Sequence, residues 1–276
     1  MSRAAGNEGH YTWSLIDKNT GEALEGQDID LVSVTTVLNT LAKPALYNWY
    51  YRMGLEGVAL ILRETNPEEE TDGFSNYELL SDADELNDLL ISNSLHPKDI
   101  ADEAAAIGTE RHEFLQTLAE AQLDGEDDLD IASQVLGRAE DVAPDDPEYD
   151  GHSVAIAKWW LKRKVKVLSS EEVVFSLRHQ YAGTLDLAYE KHGQVGVLDL
   201  KNRAANRRSY DADHLQVAAY DLAREERTGV KADLRSVLVA RADGTFLEEF
   251  SSGAPRETFL HCLELYRGLS SYRKGR

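Results

Sequence analysis

Residues 183–201, GTLDLAYEKHGQVGVLDLK, decide how this chain is read. Residues 182–190 and 194–201 are rich in Val, Leu, Thr and Tyr, and they flank Lys191-His192-Gly193-Gln194, which predicts two strands joined by a tight hairpin turn. With His192 and Gly193 in the turn, Lys191 faces Gln194, and counting back along the ladder sets Asp186 opposite Asp199. Directly opposed residues have Cβ atoms roughly 5 Å apart, so like charges there repel. A divalent cation held by hard oxygen ligands would compensate. The two-residue period of a strand sends Lys201 to the face of Asp199, and Leu185, Leu187, Leu198 and Leu200 to the opposite face, into a core.

A chain of 276 residues can bury one substantial core. No apolar run approaches a membrane span, and residues 1–30 lack a signal peptide's charged start and apolar centre, so a cytoplasmic protein is expected. The single cysteine, Cys262, excludes an internal disulfide, a Cys-based zinc site and a four-cysteine iron–sulfur cluster. A bound metal would therefore rely on oxygen and imidazole.

The net charge of −21 is unevenly distributed. Residues 56–150 hold 28 Asp and Glu against 4 Lys and Arg, whereas the rest of the chain holds 22 against 25. The basic residues gather in KWWLKRKVK at 158–166, at Arg203, Arg207 and Arg208, and in the tail SYRKGR. On so acidic a chain, phosphate contacts would have to come from such clusters. Arg203, Arg207, Arg208, Lys162 and Lys164 are the candidates for such contacts.

Along the chain, YTWSLI at 11–16 alternates as a strand, SVTTVLNTL at 33–41 can start a helix on Ser33, and Pro44 opens another. Residues 66–98 read as an acidic surface excursion and 124–150 as an acidic loop. Residues 99–123 predict a helix on which Ala104, Gly108, His112, Leu115 and Ala119 share a face. Helix resumes in HSVAIAKWWLKRK; then come the strand EEVVFSL, the hairpin, a helix over 213–227, strands at 236–240 and 245–250, and a helix from Pro255. That order indicates an α/β fold with a mixed central sheet flanked by helices. The expected division is an N-terminal strand and helical elaboration over 1–98 and a core over 99–276, together one compact domain.

Chemistry on a phosphodiester needs a cation at the scissile phosphate, a water made nucleophilic beside it, and positive charge against the developing negative charge. Asp186, Asp199 and Lys201 supply these parts, Glu172 and His112 could complete the ligand sphere, and Gln216 and Tyr220 lie four residues apart on one helix face.

GTERHEF with His112, GTLD with Asp186, LDLK with Asp199 and Lys201, and QVAAY with Gln216 and Tyr220 together resemble the PD-(D/E)XK nuclease superfamily. The resemblance is to the branch containing the RecB nuclease domain, lambda-type phage exonucleases and the CRISPR-adaptation nucleases, and it is strongest over residues 108–220. VTTVLNTLAKPALYNWY at 34–50 is similar to the N-terminal segment of phage exonucleases. The resemblance implies a restriction-endonuclease-like core in which His112, Asp186, Asp199 and the backbone carbonyl of Leu200 bind Mg²⁺ or Mn²⁺. Lys201 would position or activate water, and Gln216 and Tyr220 would orient substrate or Lys201. Asn202 stands where this branch often carries Thr.

The activity so implied is an exonuclease processing DNA ends in phage-type recombination or replication, in a bacterial or phage-infected cell. Its partners would be DNA and a single-strand annealing protein or a helicase, with homo-oligomers open. Alternatives on the same core are a structure- or sequence-specific endonuclease and a non-catalytic acidic DNA mimic.

Overall fold

The hairpin turns where the sequence places it. Lys191 pairs with Gln194, and His192 and Gly193 take φ of 53° and 79°, the two positive values that a type I′ turn requires. The strands it joins are β5 (Tyr181–Lys191) and β6 (Gln194–Arg203). A computed structural model describes residues 2–3, 10–13, 29–41, 44–64, 83–143, 146 and 149–274. The later part of the strand expected at 11–16 and residues 66–82 of the excursion expected at 66–98 lie outside these.

Among the described residues, β5 and β6 sit inside an eight-stranded mixed sheet with β1 (Ser2–Arg3), β2 (His10–Trp13), β3 (Ile29–Ser33), β4 (Lys166–Ser176), β7 (Leu234–Arg241) and β8 (Phe246–Phe250). Eight helices accompany them: α1 (Val34–Leu38), α2 (Pro44–Glu64), α3 (Ala83–Ser92), α4 (Pro97–Asp124), α5 (Asp128–Glu140), α6 (Gly151–Arg163), α7 (Asp211–Thr228) and α8 (Pro255–Lys274). The strand order is β1-β2-β3-β5-β6-β7-β8, with β4 also paired to β5.

β4 takes one edge of β5 from Tyr181 to Glu190, so the other edge is shared. β6 pairs antiparallel there with Leu187 to Lys191, and β3 pairs parallel with Tyr181 and Ala182. Between them Gly183-Thr184-Leu185-Asp186 has no strand partner on that edge, and the sheet forks. The register expected for Asp186 and Asp199 is right, but their position falls one step beyond Leu187–Leu198, the last pair of the ladder.

Two cores cover the faces. Val174, Tyr181, Leu185, Val197, Val237 and Val239 pack with α1, α7 and α8, while Leu187, Leu198, Leu200 and Leu238 pack with Leu115, Leu118, Trp159 and Trp160 from α4 and α6. Leu185 thus departs from the expectation that it would join Leu187. Both are fully buried, each worth about 2 kcal/mol, but in opposite cores. On the neighbouring β4 the alternation breaks at the same level, at Glu171, which takes φ 48°. Ser170 pairs with Leu187 and Glu172 with Leu185, and the 171–186 pair between them is skipped. A left-handed residue inside a strand turns the chain over, so that Glu172 reaches Arg224 on α7 while Ser170 follows Leu187.

Three segments differ from the pattern reading. Ile29–Ser33 is a strand, after which Ser33 caps α1 by accepting from the Thr36 backbone at 3.0 Å. Residues 83–92, expected within an excursion, form α3. Residues 128–140, expected as loop, form α5, because Asp127 caps it through Asp130 N and acids suit a helix N-terminus. The buried Asp128 then accepts from Trp160 Nε1 at 2.7 Å.

The residues divide into two compact units, 1–41 with 111–276, and 42–110. The first strands therefore belong with the central sheet, whereas the expected division grouped them with everything up to residue 98. Within 42–110, α2 and α3 meet closely, since a Cβ on Gly57 would lie 2.8 Å from Leu90 Cδ2. No helix among the described residues is long and apolar enough to cross a membrane.

Candidate active site

The fork in the sheet concentrates polar groups because main-chain pairing stops there and side chains take over. Leu200 N donates to Asp186 Oδ2 at 2.6 Å, and His112 Nε2 lies 3.1 Å from Leu200 O and 3.3 Å from Asp186 Oδ2. His112 arrives from α4, whose Leu115 and Ala119, three and seven residues on, are buried in the core that contains Trp159 and Trp160. Ser170 Oγ holds the Asp186 carbonyl at 3.1 Å.

On the α7 side Asp199 is 1% exposed and has two partners. Gln216 Nε2 donates to Asp199 Oδ1 at 2.9 Å and to Tyr220 Oη at 2.9 Å, so the i, i+4 pair acts as one clamp. Lys201 Nζ lies 2.8 Å from Asp199 Oδ2, yet off hydrogen-bonding direction, which leaves that buried oxygen ion-paired without a hydrogen bond. Gly183 is obligatory behind this clamp, because a Cβ there would sit 2.3 Å from Tyr220 Cε1. Tyr11 from β2 reaches the same opening, with its hydroxyl 3.1 Å from Thr184 Oγ1.

The electrostatics follow from burial. Desolvation raises the Asp199 carboxyl above its ordinary range, the Lys201 charge opposes this, and Asp186 adds to it. For Lys201 burial favours the neutral amine, but Asp199, Asp186 and Asp213 together outweigh it and keep the ammonium charged. Burial first, then the charges of Asp199 and Asp186, hold Tyr220 as the neutral phenol.

The sequence therefore named most of this constellation, namely His112, Asp186, Asp199, Leu200, Lys201, Gln216 and Tyr220. Glu172 is a correction. Its carboxylate is engaged by Ser169, Arg224 and Arg227, the Arg224 Nε contact being 3.1 Å, and it braces β4 against α7. Glu171, the residue before it, is half-buried. Burial first and the Asp186 charge second push the Glu171 carboxyl up to about 7, with His112 acting in the opposite sense. Tyr11 was missed, because an isolated tyrosine carries no signal.

The basic candidates separate as well. Arg203 is bound to Asp213 at 2.8 Å and lies over the Tyr210 ring, Arg208 is bound to Glu249 at 2.5 Å, and the Arg207 side chain is exposed. Lys162 lies 5.5 Å over the Phe246 ring on β8, two strands from β6, and Lys164 is the C-cap of α6, close before Lys166, which pairs near the hairpin turn. Neither lysine is brought to the fork.

Hard carboxylate oxygens, a backbone carbonyl and one imidazole suit a small divalent cation, and the Asp199 oxygen that lacks a hydrogen bond fits such a ligand. Among the described residues no three acidic, histidine or cysteine side chains converge on a ready-made metal position; His112 lies against Asp186 and Lys201 against Asp199. Compared with protein-family models and with curated proteins, the chain matches none.

Proposed function

We propose that this protein is a Mg²⁺- or Mn²⁺-dependent deoxyribonuclease with a PD-(D/E)XK core, acting as an exonuclease on DNA ends. The observation that carries the reading is Asp199 held between Lys201 and Gln216 at the mouth of a sheet fork whose other side is Asp186 with His112. Asp186, Asp199, His112 and the Leu200 carbonyl would hold the cation. When bound it supplies Lewis-acid polarisation of a phosphate oxygen and a more acidic water.

The chain's own groups account for the remainder. Lys201, kept charged by three carboxylates, presents an ammonium beside Asp199, where it can orient water and offset charge developing on a phosphate. Gln216 and Tyr220 fix Asp199 in one rotamer, and their own link supports that orientation. Arg207 is an exposed cation on the loop that follows β6 and fits a phosphate contact. The preference for ends rests on the sequence resemblance alone.

The test is digestion of end-labelled linear and closed circular DNA with Mg²⁺ or Mn²⁺. Degradation of the linear substrate with the circle intact is expected. Cutting of the circle would make the protein an endonuclease on the same core, and inert substrates with every metal would overturn the nuclease reading.

A further inference from the structure

The loop that joins β6 to α7, residues 204–209, carries Arg207 and Arg208 and is tied down at several points. Its base is closed by Asp213 on α7, whose Oδ2 accepts from Arg203 Nη2 and from the Tyr210 amide, each at 2.8 Å. Within the loop Arg207 N donates to Ala204 O at 3.2 Å, and Asn206 takes φ 63°, a left-handed value that Asn tolerates better than most residues. Arg241 Nε on β7 donates to the Arg207 carbonyl at 2.8 Å. The main chain at Arg207 is thereby fixed while its side chain stands exposed.

The next ties converge on Glu249 in β8, which divides its two oxygens between two tasks. Oε2 accepts from Ser209 N at 2.9 Å and from Ser209 Oγ at 2.8 Å, and Oε1 accepts from Arg208 Nε at 2.9 Å. His214 Nε2 lies 2.8 Å from the same Ser209 hydroxyl, and its Nδ1 lies 2.9 Å from Ser251 Oγ. Because Ser209 donates to Glu249, a neutral His214 donates from Nε2 and accepts from Ser251 at Nδ1, which aligns the chain Ser251–His214–Ser209–Glu249. Burial raises the Glu249 carboxyl, but the bonds from Arg208 and Ser209 outweigh it and hold it below the ordinary carboxylate range. The Arg208 side chain is 71% exposed, so that pair contributes little, and Ser209 is the firmer tie.

We propose that Glu249 is a positioning residue for DNA: through Ser209 it sets the course of the 204–209 loop and so aims Arg207 at a phosphate. The inference rests on the nuclease reading, and the experiment tells the two failures apart. Cleavage of a linear duplex with Mn²⁺ is followed at varied DNA concentration for the full-length wild type, Glu249→Ala, Glu249→Gln, Arg207→Ala and the double variant Arg207→Ala with Glu249→Ala, with Tm measured alongside. A wild type that fails to cleave overturns the nuclease reading, and this proposal with it. Given cleavage, Glu249→Ala should raise KM about tenfold while kcat stays within about twofold, because a misaimed phosphate contact costs binding and leaves the reacting groups in place. Glu249→Gln keeps an oxygen for Ser209 and gives up only the charge on Arg208, so its KM should stay within about twofold of wild type. Since Glu249 acts through Arg207, adding Glu249→Ala to Arg207→Ala should raise KM by less than about twofold further. A wild-type KM in Glu249→Ala, whatever its Tm, makes the residue structural and overturns the proposal. So does a Gln variant as impaired as Ala, or additive effects in the double variant. Should Glu249→Ala fail to fold, Ser209→Ala takes its place: it removes the hydroxyl tie alone, so a raised KM at unchanged kcat supports the assignment and a wild-type KM overturns it.

Discussion

The two ends of the β5–β6 hairpin obey different rules. At the turn end, from Leu187–Leu198 to Lys191–Gln194, every residue has a cross-strand partner and side chains alternate between two cores. At the open end the ladder stops, β3 replaces β6 on the shared edge, and Leu200 N is satisfied by a carboxylate instead of a neighbouring strand. The turn end is held by main-chain pairing and apolar burial, which tolerate few polar groups. The open end must satisfy its main chain with side chains, so polar residues are admitted there together with their charges. The candidate chemistry sits where regular pairing fails.

The sharpest way to break this contrast is Lys201→Ala. It should lower DNA cleavage by about 10²-fold or more while Mn²⁺ still raises Tm, since the carboxylates remain. Near-normal turnover would move catalysis away from the open end.

A matched pair of glycines comes next. Gly183→Ala drives a methyl into Tyr220 at the open end, and Gly196→Ala drives one into the Tyr189 ring, 2.2 Å away, at the turn end. Both should lose about 1–3 kcal/mol in urea unfolding. Only Gly183→Ala should also reduce the Mn²⁺-induced Tm shift, because Tyr220 backs the Gln216 clamp on Asp199. Equal effects of both on metal binding would erase the distinction.

Phosphate contact should likewise favour the open end. Arg207→Ala with Arg208→Ala should flatten the salt slope of DNA binding by about one to two units, whereas Lys162→Ala with Lys164→Ala should leave it unchanged. Measured binding isotherms at several salt concentrations decide between the two clusters.

The smallest effect concerns His152 on α6, whose Nε2 lies 3.2 Å from the Arg203 carbonyl at the end of β6. Burial lowers its pKa below 6.5, more than the carbonyl bond restores it. A histidine held neutral in the fold leaves stability complete above pH 6.5, and stability declines as pH falls from there toward the depressed folded value. His152→Gln should therefore lose less stability than wild type between about pH 6.5 and pH 5, read from urea unfolding at both.

How far the sequence reached follows the same division. The turn, the register, the helix face bearing His112 and the Gln216–Tyr220 spacing were legible, because each depends on a local period. Leu185 was assigned to the wrong core because strict alternation was carried through a place where the facing changes, level with Glu171 on the neighbouring strand, and a left-handed glutamate leaves no mark where a glycine would have been noticed. α5 was hidden in acidic residues, since its support is the Asp127 cap and the burial of Asp128 under Trp160, neither of which is a matter of composition. Tyr11 was illegible for another reason, as nothing local says that β3 will dock on β5 and bring β2 with it.

That docking sets an order of assembly. Val32 pairs in parallel with Tyr181, so a strand made early in synthesis waits for one made much later, and closing so long a loop is slow compared with zipping a hairpin. The β5–β6 hairpin can form as soon as both its strands exist, while the strands that carry Tyr11 to the fork arrive afterwards. In pulsed hydrogen exchange during refolding, amides of residues 187–198 should gain protection before those of 31–33. A nascent chain would thus hold the fork beside Asp186 unfinished until β3 docks on Tyr181 and Ala182, and completion of the site would lag behind compaction.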